Sequence, residues 1–103
     1  MSEYIAPVRD MQFVLRELAG LEQVAQLPGC EEATPDLVDA VLEEAARFAE
    51  EVLSPLNWPG DQEGARWHNK TVTMPAGFKE AYKLFADSGW TALSSEPEWG
   101  GQG

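Results

Sequence analysis

The sequence is poor in the residues on which many kinds of site depend: its 103 residues include one cysteine, one histidine and seven lysines and arginines. The lone Cys30 excludes an internal disulfide, and the acidic residues that follow it disfavour the thiolate that a nucleophile requires. The lone His68 excludes a helical two-metal site, which needs Glu-x-x-His on facing helices. No apolar run approaches the roughly 20 residues of a membrane-spanning helix, and Met1–Tyr4 do not begin a signal peptide. We therefore expect a cytoplasmic protein that holds no metal on this chain.

Basic residues are also scarce relative to acidic ones. Eighteen aspartates and glutamates against seven lysines and arginines give a net charge of -11 and a pI of about 4.3. A field of this sign repels nucleic-acid phosphates and anionic lipid headgroups, so binding to a nucleic acid or a membrane is not expected. Hydrophobic residues make up 44% of the chain, which is ordinary for a folded domain and predicts one small core.

Helical periodicity is present in three segments. The clearest is Leu37–Leu53, which follows an N-cap signal at Thr34 and a proline at the first helical position. A shorter helix is predicted from a cap at Asp10 to a stop at Gly20, with one weaker helical turn after it. A third is predicted over residues 75–89, between a proline and a glycine. These patterns predict an all-α fold, a small helical bundle.

The stretch from Ser54 to about Thr71 is predicted to be irregular, because prolines and glycines interrupt it. Loops of this length without regular structure are uncommon, and Trp58 and Trp67 favour one that is held in place by packing. Thr71–Thr73 predicts a brief extended segment, with no second strand to pair with it.

The apolar positions of Leu37–Leu53 cover a wide arc. At 100° per residue, all of them but Ala40 fall within about 180°, whereas a helix that covers one small neighbour needs about 100°. We therefore expect this helix to pack between two neighbours, with Phe48 in the core. The isolated chain is expected to self-associate through any part of the arc that stays uncovered.

Acidic pairs are the most obvious candidates for chemistry, and their spacing argues against it. Glu43–Glu44 and Glu50–Glu51 are adjacent pairs, so on a helix their side chains diverge by about 100° and do not converge on one ion. Arg47 has a glutamate four residues away on either side, which predicts i,i+4 ion pairs on a solvated face. Gly100–Gly103 matches no phosphate-binding loop, because neither the glycine spacing nor a preceding strand is present.

Three stretches carry a resemblance to a known family. They are Tyr4–Leu15 (YIAPVRDMQFVL), Phe48–Asn57 followed by Gly60-Asp61, and Gly89-Trp90 followed by Glu96–Gly103 (EPEWGGQG). In this order they resemble the N-terminal helical domain of bacterial FAD-dependent acyl-CoA dehydrogenases, in a branch that carries a short N-terminal extension. The resemblance covers nearly the whole chain. It implies an extension over residues 1–33 and a helical domain over 34–103, with further domains in the full protein.

The resemblance also implies a reaction, in which an acyl-CoA thioester loses two hydrogens. In the family a glutamate takes the α proton while the β hydrogen leaves as hydride to FAD, and both the base and most flavin contacts follow the N-terminal domain. This chain is therefore expected to supply no catalytic, cofactor-binding or metal-ligating residue. The full protein is expected to use acyl-CoA and an electron acceptor and to form a homo-oligomer.

Trp99, Gly100 and Gly101 match positions that the resemblance places at a wall on the acyl side of the substrate cleft. The preceding Glu96-Pro97-Glu98 departs from commoner members of the family in the place of its proline. For Trp90 and Trp99 the residues alone favour core or interdomain packing, with lining of a substrate tunnel as the alternative.

Two other functions stay open. One is a free-standing acidic helical module that binds a protein partner through the wide apolar arc and catalyses nothing. The other is a flavin-dependent monooxygenase of the same fold. Sequence beyond Gly103 would discriminate among them, because a β-rich segment and a second helical bundle would follow in the dehydrogenase.

Overall fold

One long helical run dominates the computed structural model, which describes residues 3–103. α3 (Pro35–Phe48) continues through a π-helical segment (Ala49–Leu53) into α4 (Ser54–Glu63). The Thr34 hydroxyl accepts a hydrogen bond of 3.2 Å from the Leu37 amide and so caps the start of α3. The helix predicted over Leu37–Leu53 is confirmed, and the run extends through the 10 residues of α4 beyond its predicted end.

The prediction of an irregular stretch from Ser54 is wrong, and Pro55 explains how the helix continues. Proline has no N–H to donate to the carbonyl four residues earlier, and its ring collides with that carbonyl in a regular α-helix. The turn before Pro55 is widened instead: Ser54 donates its N–H to the carbonyl of Ala49, five residues back. The helix then passes through Pro59 and ends at Gly64.

A β-hairpin follows where no paired strand was predicted. β1 (Arg66–His68) pairs antiparallel with β2 (Thr71–Thr73). Asn69 and Lys70 join the strands with positive φ angles of 50° and 62°, the conformation of a two-residue type I′ turn. The fold is therefore mostly helical, and the all-α prediction is wrong for this hairpin.

The N-terminal helix begins earlier than predicted. α1 (Val8–Phe13) follows Pro7 at the N-cap, so the predicted cap at Asp10 is wrong; the Asp10 carboxylate lies within the first turn. A π-helical segment (Val14–Leu18) continues α1 as far as Gly20, whose φ of 70° separates it from α2 (Leu21–Val24), the weaker turn that was predicted. The apolar side chains at helical spacing in this segment are mostly exposed: Leu15 is half-buried, but the others are exposed, namely Met11, Val14 and Leu18.

The third predicted helix is confirmed as α5 (Phe78–Asp87), which begins three residues after Pro75 and stops before the left-handed Gly89. Two short 3₁₀ turns follow it, Trp90–Ala92 and Pro97–Trp99. α5 meets the helical run through Phe48 and Phe85, whose ring centroids are 6.0 Å apart. This contact ties the end of α3 to the C-terminal part of the chain.

The core is small. Among residues 3–103 the buried residues are Leu21, Gly60, Pro75 and Ala81, while Phe48, Val41, Leu42 and Val52 of the predicted arc are half-buried and Leu37 is exposed. The arc is not continuous, because the π-helical segment changes the angle per residue after Phe48.

The molecule is open and flat. Its radius of gyration is 17.3 Å, against about 13 Å for a compact chain of this length. It exposes 8252 Å² of surface, whereas a compact monomer of 11.3 kDa exposes about 5,700 Å². In residues 3–103 no helix has the length and apolar character needed to cross a bilayer.

Candidate functional site

The candidate wall residues lie in a tight C-terminal turn. The backbone N–H of Gly101 donates to the Glu96 carbonyl at 3.1 Å, and that of Gly103 donates to the Ser95 carbonyl at 2.9 Å. Trp99 also donates its backbone N–H to the Glu96 carbonyl, at 2.9 Å. These bonds fold residues 95–103 back on themselves, so the segment has a defined shape even though it ends the chain.

Glycine is required at two positions of this turn. Gly100 has a φ of 89°, a left-handed conformation in which other residues are strained. At Gly101 the constraint is space: a Cβ atom would lie 1.9 Å from the Ser95 carbonyl oxygen and 2.6 Å from that of Ala92. The Gly-Gly pair is thus what allows the turn to close.

The two tryptophans near the turn have different environments. Trp90 is half-buried and lines a groove, whereas Trp99 is 77% exposed at the tip of the turn. Trp90 therefore packs within this chain, whereas Trp99 presents its ring to solvent here, and its packing against another domain stays a prediction.

The groove beside the turn has a volume of about 460 Å³. Its lining comes from α3, from the π-helical segment and from the C-terminal region: Ala40, Val41, Glu44, Arg47, Phe48, Glu51, Val52, Ser88, Gly89, Trp90, Leu93 and Gln102. Gln102 lines it, but the predicted wall residues do not. The structure therefore places Trp99, Gly100 and Gly101 next to this groove and outside its lining.

A second groove lies between α4 and α5 and is more strongly apolar. It has a volume of about 310 Å³ and is lined by Leu53, Leu56, Asn57, Phe78, Ala81, Tyr82 and Phe85. Leu56 was missed as a functional candidate because α4 was not predicted as a helix. The residues of α5 that line this groove follow the i, i+3, i+4, i+7 pattern, and this pattern was the sequence signal that could have identified them.

The charged side chains on the described residues form no metal centre. Within residues 3–103 no group of three histidine, cysteine or acidic side chains is arranged to hold a metal ion. Arg47 pairs with Glu44 at 2.6 Å, three residues away, so the predicted i,i+4 partners are wrong. His68 lies exposed on β1 rather than in a loop, and Cys30 is a half-buried free thiol.

One carboxyl group has a perturbed pKa. The pKa of Glu31 is lowered from its ordinary value of 4.5 by hydrogen bonds from its own backbone N–H and from that of Gly29. Because the folded-state pKa is the lower one, this contribution to stability is present above the ordinary pKa and is lost as the pH falls through the folded value. Glu31 lies in the turn between α2 and α3, and it serves that turn rather than either groove.

Comparison with known proteins identifies a relative of this chain, which the geometry of the grooves alone does not. No family model matches the chain. The 3-methylmercaptopropionyl-CoA dehydrogenase of Ruegeria pomeroyi is 45% identical to it over 100 residues, which cover 97% of this chain and 17% of that protein.

The chain matches the N-terminal part of that dehydrogenase. The resemblance read from the three stretches is thereby confirmed. The chain spans about a sixth of the length of the relative it matches, 17%, so the relation concerns this N-terminal part.

Proposed function

We propose that the chain forms the N-terminal domain of an FAD-dependent acyl-CoA dehydrogenase. The observation that carries the proposal is the 45% identity over 97% of the chain to a dehydrogenase of an acyl-CoA thioester. The extension of residues 1–33, the helical domain of residues 34–103, the homo-oligomeric state and the cytoplasmic location belong to this proposal as predictions.

Within this proposal the chain supplies packing on the acyl side and neither the base nor the flavin site. The described residues include no glycine-rich phosphate loop, and three of the seven basic side chains are engaged in ion pairs, namely Arg16, Arg47 and Lys83. The net charge of -11 further disfavours an FAD diphosphate or the phosphates of CoA. The chemistry of the flavin, acceptance of a hydride, would take place on a part of the enzyme outside this chain.

The test compares two proteins, the 103-residue chain and the full product of the same gene. We expect the full product to be yellow after reconstitution with FAD and to reduce a dye with some acyl-CoA, while the chain alone binds no flavin. The substrate panel should contain short, medium, long and aryl acyl-CoAs together with 3-methylmercaptopropionyl-CoA, which the name of the relative suggests. A colourless full product that is inactive on every thioester would contradict the dehydrogenase and favour the protein-binding module.

Trp99 tests the proposed wall separately. In the full-length enzyme we expect Trp99→Ala to lower kcat/KM by at least roughly tenfold and to change the order of preference among acyl chains, because even one methylene of contact in a hydrophobic pocket is worth about 1–3 kcal/mol. Trp67→Ala is the matched control, since Trp67 is 72% exposed on β1, far from the turn in sequence. Equal effects of the two substitutions would show that Trp99 does not line the acyl site, and they would leave the proposed dehydrogenase function unchanged.

A further inference from the structure

The first residues of the described chain form a strap, residues 3–20, that is attached to the helical run by its backbone. Ala6 donates its N–H to Glu50 Oε1 at 2.8 Å, and Tyr4 donates its N–H to Ser54 Oγ at 3.3 Å. Glu50 lies within the π-helical segment, and Ser54 directly follows it. The bond to Glu50 is the stronger one, because its acceptor is a carboxylate and the contact is partly buried.

The far end of the strap is attached by charge. Arg16 forms an ion pair with Asp39 of α3. Residue 4 contacts residue 54 of the helical run, and residue 16 contacts residue 39. Because the partner number falls as the strap number rises, the strap lies antiparallel to the helical run. α1 packs against α3 between these points.

Apolar burial contributes little to this attachment. No residue of the strap is buried, and the most exposed of its large apolar side chains, Ile5 and Leu18, are 77% and 73% exposed. Segments with few buried apolar contacts open locally at a free-energy cost well below that of global unfolding. The strap can therefore separate from the helical run while the run stays folded.

The docked strap completes a groove over the π-helical segment. Tyr4 and Ile5 of the strap line this groove together with Ala49, Leu53 and Trp58 of the helical run, and its volume is about 800 Å³. Because one wall belongs to the strap, the groove exists only while the strap is docked.

We propose that residues 3–20 are a releasable strap with Glu50 as its latch, so that docking and release assemble and remove the groove beside Trp58. The docked and released states form a two-state element, whose balance any partner that contacts only one of them would shift. The proposal concerns contacts within this chain and holds whether or not the dehydrogenase function is correct.

Trypsin gives a direct test on the 103-residue chain, because the strap contains two cleavage sites, Arg9 and Arg16, and α3 contains another at Arg47. We expect Glu50→Ala to accelerate cleavage in the strap by roughly tenfold. The reason is that loss of a hydrogen bond to a charged group shifts the opening equilibrium of the strap by about this factor, and the cleavage rate follows the population of the open state. Cleavage at Arg47 should not change. Glu43→Ala, which removes an exposed carboxylate from the same helix, is the matched control and should leave all rates unaltered.

Amide exchange of the unsubstituted chain provides a measurement that does not depend on a variant's folding. The Ala6 amide should exchange at least about tenfold faster than the hydrogen-bonded amides of α3, although it is itself hydrogen-bonded. Exchange of the Ala6 amide at the rate of α3 would mean that strap and helix open together and would overturn the proposal. Unchanged strap cleavage in a folded Glu50→Ala chain, or equal acceleration at all three sites, would overturn it as well.

Discussion

Gly101 is the residue at which the C-terminal turn tolerates least change. Any side chain there would meet the backbone of Ser95, because the added Cβ would lie 1.9 Å from its carbonyl oxygen. A backbone carbonyl cannot rotate away as a side chain can. The requirement for glycine follows from close approach alone, since the φ of Gly101 is not in the left-handed region.

We predict that Gly101→Ala opens this turn. The hydrogen bonds from the amides of Gly101 and Gly103 should be lost, and the Gly103 amide should exchange at least about tenfold faster. Nuclear magnetic resonance can follow the Gly103 amide directly. Ser94→Ala, at an exposed position just before the turn, is the control and should leave the exchange unchanged. Unaltered exchange in Gly101→Ala would show that the turn is not closed as described.

Single residues were predictable where the chemistry is local. Thr34 was identified as a cap because its hydroxyl needs only the amide three residues ahead, and the structure contains that bond. The partner of Arg47 was not predictable, because residues three and four positions away are both neighbours on a helix. The exposure of Trp99 was not predictable either, since it depends on how the turn lies against α3.

Phe48 packs its ring against Phe85 of α5, and the expected cost of removing it depends on its burial. Full burial would make Phe48→Ala cost about 3–5 kcal/mol, but Phe48 is half-buried. We therefore predict a loss of about 2 kcal/mol in urea denaturation, including a coupling of about 0.5–1.5 kcal/mol with Phe85 in a double-mutant cycle. Leu37→Ala, at an exposed position of α3, should cost less than about 1 kcal/mol. A loss below about 1 kcal/mol for Phe48→Ala would exclude this contact from the core.

The hairpin offers a prediction in which one substitution has opposite effects in two elements. Lys70 has a φ of 62°, a left-handed conformation that costs a residue with a Cβ about 1–2 kcal/mol. Lys70→Gly should therefore stabilise the hairpin by about 1 kcal/mol. Lys79→Gly places the same change inside α5 and should destabilise it by about 1 kcal/mol. Destabilisation by both substitutions in thermal unfolding would contradict the type I′ turn.

The elements that the sequence failed to predict share a physical reason. α4 was missed because Pro55 and Pro59 are helix breakers in most contexts, whereas the turn before Pro55 is widened here and the helix also passes through Pro59. The hairpin was missed because its turn is Asn-Lys, whereas the strong signal for a type I′ turn is Asn-Gly. In both cases the local sequence signal points away from the structure that forms.

For the molecule as a whole, the excess exposed surface predicts self-association of the isolated chain. The excess over a compact monomer is roughly 2,500 Å², and a standard protein interface buries about 1,600 Å². The net charge of -11 opposes association, so we expect the oligomeric fraction to rise when the salt concentration rises and screens the repulsion. Light scattering at several salt concentrations and high protein concentration measures this fraction.

A substitution tests which surface mediates this self-association. Leu53→Glu should reduce the oligomeric fraction, because Leu53 is 44% exposed and borders both the groove beside Trp58 and the groove between α4 and α5. Leu27→Glu, at an exposed apolar position outside both grooves, should have little effect. A monomer under every condition would contradict the expectation that the chain self-associates through the uncovered part of the apolar arc.

The thinness of the molecule has a consequence during synthesis. Its shortest dimension of 18 Å is less than two helix diameters of about 10–12 Å each, so nearly every apolar side chain is close to water. If the chain heads a protein as long as its relative, about 490 residues follow it from the ribosome, which takes on the order of 25–100 s. During that interval the apolar grooves have nothing to cover them. Over that interval the net charge of -11 would oppose aggregation, because nascent chains of the same sign repel one another.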